Sequence, residues 1–384
     1  MRRTAAYFPI VPNRAGEIEA VGHLSPFART RTRIIFQIDR PAEPDPLVFE
    51  RHISRAAQRI SRVWGTTLPL LVDLPFYGPE HRLRNGMTAR EWAFVCFRQL
   101  RARAVPVAGL PSERGPEQIE EIRKIAHRDE RGAALRVPYL ELSSPDILLK
   151  ELMSAIDNLK LPSESLDLLL DLETILGRPT REKNVSYLSG VIREALAVAR
   201  QVGGFRNIVL CGSSVPERVG KEYEIDAFRG PRIEMAVWRS ILKEDVNPVA
   251  FSDSGITPLL GDDPRGKGIA LARVRLSTPD EHVFHRAARS GYLSLCAKAV
   301  SSADFNSKVM AWGASQLREC TYGLTGVSSP SRWVARDANL HFEATVSEIE
   351  RQLVIAGRVN EYSFADKEKV AWLQRALLEE ETPQ

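Results

Sequence analysis

The chain has 384 residues, of which 43% are apolar and 27% charged, and a formal net charge of +4. That length suits two domains, or one barrel-sized domain with an appendage, and so mild a charge surplus does not by itself imply nucleic acid. Cys96, Cys211, Cys296 and Cys320 are far apart and form neither a CxxC pair nor a metal-ligand spacing, which predicts buried thiols in a reducing cytoplasm. The N-terminal apolar run is broken by Pro9 and Pro12 and fails as a signal peptide, and no stretch approaches the ~18 apolar residues of a membrane helix.

Apolar runs alternate with helical patterns along the chain. The first run, YFPIVP (7–12), leads into AGEIEAVGHLSPFART; the second, RIIFQID (33–39), into LVFERHISRAAQRISRVW. The third, LPLLVDL (68–74), precedes a helix that Thr88 caps, and the fourth, VPVAGL (105–110), a helix with Pro116 in its first turn. ALRVPYLEL (134–142), SLDLLLDLE (165–173) and NIVLCGSS (207–214) follow as fifth, sixth and seventh runs. The eighth run, Pro248 to Phe251, stops abruptly at Ser252-Asp253-Ser254-Gly255, and the helix expected after it is delayed.

Unbroken apolar runs indicate strands covered on both faces, as parallel strands are. Eight βα units over about 250 residues predict an α/β fold, a (β/α)8 TIM-like barrel over 1–260, with a doubly wound open sheet as the alternative. Residues 261–384 predict a C-terminal α+β extension packed on the barrel. In it, IALARVRLS and EHVFHRAA read as paired strands, and YLSLCAKAVSS as a helix and a candidate for the delayed eighth helix. SRWVARDANLHF reads as irregular, and ATVSEIERQLVIAG and KEKVAWLQRALLEE as closing helices; the acidic end, Glu379 to Glu381, reads as a disordered tail.

Several predicted strands end in polar groups: Asp39, Asp73, Asp171 with Glu173, Ser213, and Asp253, while Asn13, Arg14 and Glu17 follow the first and Arg136 and Glu141 lie in the fifth. In a barrel these ends converge on one mouth, where barrel enzymes keep their sites. Asp171, Asp253 and Glu173 are therefore the candidate catalytic residues. Arg14, Glu17, Asp39, Asp73, Arg136 and Ser213 are the candidate ligand-binding residues. The carboxylates suit a divalent cation, Mg²⁺ or Mn²⁺, and the arginines a phosphate or carboxylate. The plain alternative is that each aspartate is an N-cap or turn residue.

No strand ends in His or Lys, and GxSxG, GxxxxGK[ST] and a GxGxxG after the first strand are all absent. LLGDDPRGKG (259–268) reads as a solvated turn. Arg51, Arg55, Arg59 and Arg62 share one helix face, read as solvated or as a phosphate-tracking stripe. His282 and His285 fall on a strand-like segment, which disfavours a metal. Trp333, Arg336, Asn339 and His341 read as packing or as a recognition loop.

YFPIVPNRAGEIEAV, LPLLVDL, FSDSGI, MAWGASQL and WVARDANLHF together resemble the phage beta-protein family. Two positions depart from it: Asn13-Arg14 stands where members often carry lysine, and Ser254 where tyrosine is common. The resemblance implies a barrel-like domain with a C-terminal extension, no established reaction, and a phage or mobile-element setting. Two functions follow as expectations. One is a binding or interaction protein in phage–host conflict, anti-phage defence or phage accessory, with a protein or nucleic-acid partner. The other is a divalent-metal-assisted hydrolase of a phosphorylated or nucleotide-like substrate.

Overall fold

The computed structural model describes residues 5–43, 45–216, 227–244, 249–259, 272–287, 291–306, 309–324 and 329–358. The predicted LLGDDPRGKG turn (beyond residue 259), the KEKVAWLQRALLEE helix and the acidic tail lie outside the described residues.

The chain runs β1 (Ile10–Pro12), α1 (Ala15–Gly22), α2 (Pro26–Arg31), β2 (Ile35–Gln37), α3 (Pro46–Trp64), β3 (Pro69–Asp73), α4 (Ala89–Gln99), β4 (Arg103–Ala108) and α5 (Pro111–Asp129). It continues with β5 (Ala133–Val137), α6 (Tyr139–Leu142), α7 (Pro145–Leu159), β6 (Leu166–Thr174), α8 (Val185–Val202), β7 (Asn207–Ser213), β8 (Ala227–Pro231), α9 (Ile233–Glu244) and β9 (Ala250–Phe251). The last part holds β10 (Ala272–Ser277), β11 (Glu281–Ala287), α10 (Tyr292–Val300), α11 (Trp312–Thr321) and α12 (Pro330–Ile355).

Strands β1 to β7 and then β9 form one curled, all-parallel sheet of eight, in chain order. The first and last strands also meet. Phe8 N and Ile10 N donate to Phe251 O and Asp253 O, both at 2.8 Å, and Phe251 N donates to Ala6 O at 2.9 Å. Alternate residues take opposite faces of a strand, and the core divides accordingly. Ile35, Leu71, Val105, Leu169, Val209 and Ala250 pack together inside the curl. Phe36, Leu70, Leu135, Leu168, Leu210 and Phe251 face outward into the core shared with the helices. Both faces are apolar, which is why the strands read as unbroken runs.

Local signals set the ends. Thr88 caps α4 as predicted, with Glu91 completing a capping box. Helix α5 starts at Pro111, kinks at Gly115, where φ is +75°, and resumes at Pro116. Pro26 behind the Ser25 cap breaks the first helical segment into α1 and α2.

Three expectations need correction. The fifth run is strand only to Val137; its second half is the short helix α6, so Glu141 does not lie on the strand. The segment SRWVARDANLHF is not irregular but forms the first half of the 26-residue α12. Its polar residues misled the reading because Arg336, Asp337, Asn339 and His341 are buried among partners rather than exposed. The helix YLSLCAKAVSS, α10, is not the delayed eighth helix. It packs in a second core with β10 and α11. Helix α12 packs into both cores: its Ala338, Phe342, Val346 and Ile349 join the large core, while Trp333 and Leu340 join the second. Strands β10 and β11 pair as predicted, in antiparallel sense, and β8, from the long loop after β7, adds a third strand.

Candidate functional site

At the C-terminal end of the curled sheet, strand parity sorts the predicted residues into two groups. Asp73, Arg136 and Asp171 share the parity of Leu71, Ala134 and Leu169, so they crown the inner layer. Arg136 lies between the carboxylates: its Nη1 is 2.8 Å from Asp73 Oδ2, and its Nε donates to Asp171 Oδ2 at 2.6 Å. Arg114, from the first turns of α5, reaches Asp73 Oδ1 at 3.2 Å, and Gln37 Nε2 donates to Asp73 Oδ2 at 3.4 Å. Asp171 Oδ1 accepts the Glu173 backbone N–H at 2.7 Å, and Glu173 holds φ +53° to deliver it. Burial would raise the Asp73 carboxyl, but Arg114 and Arg136 override it and hold the group below its ordinary value. Burial likewise opposes the Arg136 charge, and Asp171 and Asp73 overcome it, so the guanidinium is held more firmly than usual. Two carboxylates thus meet two guanidinium groups, and the cluster is neutral. Cys211 borders it, with a thiol pushed up by burial and then by Asp171.

Asp253 belongs elsewhere. It shares parity with Phe251, which faces outward, so its side chain points into the layer between sheet and helices. There it is 1% exposed. Its Oδ1 accepts from Tyr7 Oη at 2.7 Å and Gly255 N at 3.0 Å, and its Oδ2 from Arg232 Nη2 and His341 Nε2, both at 3.0 Å. His341 Nδ1 meets Ser277 Oγ at 2.6 Å, and Arg232 Nη2 also donates to Thr345 Oγ1 at 3.0 Å. Burial alone would raise the Asp253 carboxyl; His341, Arg232 and Tyr7 reverse that and hold it far below the carboxylate range. Burial lowers the His341 imidazole against the pull of Asp253. One carboxylate therefore ties the first and last strands to the antiparallel sheet and to α12. That answers why a buried strand ends in Asp-Ser-Gly: the turn, with φ +66° at Gly255, aims a carboxylate at four donors.

The other predicted residues are dispersed. Ser213 Oγ bonds Ser254 Oγ at 2.6 Å on the inner face. Glu17 is buried and accepts from Thr257 Oγ1 at 2.9 Å. Asp39 sits at the rim and pairs with His52 Nε2 at 3.0 Å. Arg14 is exposed beside it. Glu173 is exposed and 3.4 Å from Arg178.

This arrangement does not fit the divalent cation. The space between Asp73 and Asp171 is filled by a guanidinium group, and the third carboxylate faces the other way. Among the described residues no group of three or more His, Cys, Asp or Glu could hold a metal ion. His282 lies on β11, a strand, as expected. Among the described residues no helix is long and apolar enough to cross a membrane.

Sequence reading missed Gln37, Arg114, Tyr7 and Arg232. Parity would have found Gln37, two residues after the inward-facing Ile35 on β2. Arg114 and Arg232 enter from a helix and a long loop, and no strand periodicity points to them.

The family model described as Beta protein matches residues 7–347. No curated protein matches the chain. A solved structure of alanine racemase from Clostridium difficile 630, in complex with cycloserine, aligns at 10% identity and a TM-score of 0.32. The alignment covers 66% of this chain and 50% of the racemase, half the length of that protein. The stretches that carry the resemblance meet in space: Asp253 of FSDSGI bonds His341 of WVARDANLHF, and Asn339 Oδ1 of the latter accepts from Gly313 N of MAWGASQL at 2.8 Å. With its model matched over nearly the whole chain, the protein belongs to the Beta protein family.

Proposed function

We propose that the protein is a cytoplasmic binding or interaction protein in phage–host conflict, built on a closed (β/α)8 barrel. In this reading residues 1–260 form the barrel, and 261–384 supply an extension whose α12 returns as the barrel's eighth helix. Closure is supported by the hydrogen bonds from Phe8 and Ile10 to the last strand. The phage setting is supported by family membership alone.

The observation that carries the binding reading is the Asp73–Arg136–Asp171 cluster with Arg114. A general acid and base need carboxyls whose pKa values are pushed apart, and a metal site needs free oxygen ligands. Here each carboxylate is spent on an internal arginine, as Asp167 is at the opposite end of the sheet, paired with Arg33 at 2.9 Å and Arg206 at 2.7 Å. What the mouth offers a partner is its rim, Arg14, Asp39 with His52, and Glu173 with Arg178. The test is a thermal-shift panel of Mg²⁺, Mn²⁺, nucleotides and sugar phosphates on wild type and Asp171→Asn. A ligand at 100 times its Kd adds about 2.7 kcal/mol, roughly 2 °C or more in the midpoint. A flat panel together with partner capture lost on Arg14→Glu supports the reading. A metal-dependent shift in wild type that Asp171→Asn abolishes overturns it in favour of the hydrolase.

A further inference from the structure

The outer face of α3 is unlike that of the other helices. Arg51, Arg55, Arg59 and Arg62 are exposed along it, bordering a groove with His52 and Gln58. Several arginines on other helices are matched by acids: Arg98 by Asp129 at 3.1 Å, Arg123 by Glu120, Arg193 by Glu244 and Arg239 by Asp280. On α3, Arg59 Nη2 donates to Asn13 Oδ1 at 3.2 Å, and among the described residues Arg51, Arg55 and Arg62 have no acidic partner. The carboxylates nearby are turned elsewhere. Glu50 lies toward Cys96 of α4, Glu19 of α1 faces Arg332 at 3.8 Å, Glu91 of α4 is held in its capping box, and Asp39 is taken by His52.

The spacing works against the isolated helix. Arg51–Arg55 and Arg55–Arg59 are i,i+4 like-charge pairs and Arg59–Arg62 is an i,i+3 pair, and each pair repels along the helix face. A row of this kind gains from polyanion contact. From Arg51 to Arg62 the helix rises roughly 16 Å, the axial length of about five phosphates on one strand of a duplex. Planar guanidinium forks suit phosphate oxygens. The N-terminus of α3 lies at the mouth, where His52 pairs with Asp39.

We infer that this face of α3 is a nucleic-acid surface, on which the four arginines track a phosphodiester backbone. The surface is separate from the mouth cluster, so Asp171→Asn leaves it intact and the two proposals fail separately. The test is fluorescence anisotropy of the full chain with labelled 20-mers: duplex DNA, duplex RNA, and single strands of each. Four phosphate contacts give a slope of log K against log salt of about −3.6 on duplex DNA, roughly a 150-fold loss between 50 and 200 mM salt, and about −2.8 on single strands. Arg51→Gln/Arg55→Gln/Arg62→Gln is expected to bring the duplex slope to about −0.9, while Arg123→Gln on α5 leaves it unchanged. The four probes decide whether the backbone is DNA or RNA, double or single. No binding at 50 mM salt overturns the inference, as does a slope that the triple variant leaves unaltered. Binding to phosphatidylserine vesicles with none to any of the oligonucleotides also overturns it.

Discussion

Asp253 and Asp337 are both buried aspartates beside arginines, yet their environments drive them in opposite directions. Asp253 has four donors and is held ionised. Its contribution to stability is present above the unfolded pKa, near 4, and is lost as pH falls through its depressed native value. Asp253→Asn removes the acceptor shared by Arg232 and His341, and breaking a buried pair in this way costs about 3–5 kcal/mol. Urea unfolding at pH 7 checks this, and a loss under ~1 kcal/mol would show that the pair contributes no more than a surface one. Asp337 Oδ2 accepts from Arg275 N at 3.0 Å, but its Oδ1 is buried without a partner. Burial pushes its carboxyl up to about 8 despite the pull of Arg275 and Arg336, and burial pushes Glu350 up to about 7 despite Arg31. Each keeps its proton in the native state while the unfolded chain has lost it. Each therefore makes stability fall as pH rises from about 4 to its native value, above which the loss is complete. Asp337→Asn is expected to flatten the fall between pH 6 and 8 without loss of stability, read as urea midpoints at the two pH values.

Elements join where side chains are missing as well as where they are present. A Cβ on Gly313 would collide with the backbone carbonyl of Arg336, so α11 and α12 pack at this distance only with glycine there. Gly313→Ala is expected to cost about 1–3 kcal/mol or more, lowering the thermal midpoint. At the start of α4, Thr88 Oγ1 both accepts from Glu91 N and donates to the buried Glu121. Thr88→Ala is expected to cost at least the ~1 kcal/mol of a lost cap; a smaller value in thermal unfolding would show that the Glu121 bond adds nothing. These details were only partly legible in the chain. The Thr88 cap was readable because capping is local in sequence. The helicity of SRWVARDANLHF was not, because Asp337, Asn339 and His341 find their partners at Arg275, Gly313 and Asp253.

At the scale of the molecule, the seam between the first and last strands decides whether the sheet behaves as a ring. The amides of Phe8, Ile10 and Phe251 bond across it. In a closed sheet their exchange with solvent is as slow as that of Leu71 in the interior. In an open sheet they exchange quickly, as edge amides do. Hydrogen exchange resolved at single residues distinguishes the two. The second core adds to the seam from outside, because α12 runs through both hydrophobic clusters and places His341 on Asp253. A nucleic acid on α3 would approach the outer, helical face of this body, beside the Arg59–Asn13 contact that follows β1.

The sequence by itself pointed to eight strands and their parallel sense, while their order across the sheet stood open between a barrel and a doubly wound arrangement until the fold was seen. Unbroken apolar runs spaced by helices carry that information locally, and the family resemblance rested on short local motifs. It also placed polar residues at the strand ends, since those ends are fixed by where the apolar runs stop. Only the tertiary structure decided which of them meet. Strand parity and curl put Asp73 and Asp171 on one guanidinium group inside, while one residue's difference in parity turned Asp253 outward to Tyr7, Arg232 and His341. Those partners lie from 21 to 246 residues away along the chain. A carboxylate's chemistry is set by the charges within a few ångströms of it, and for these aspartates only the folded chain brings such charges near.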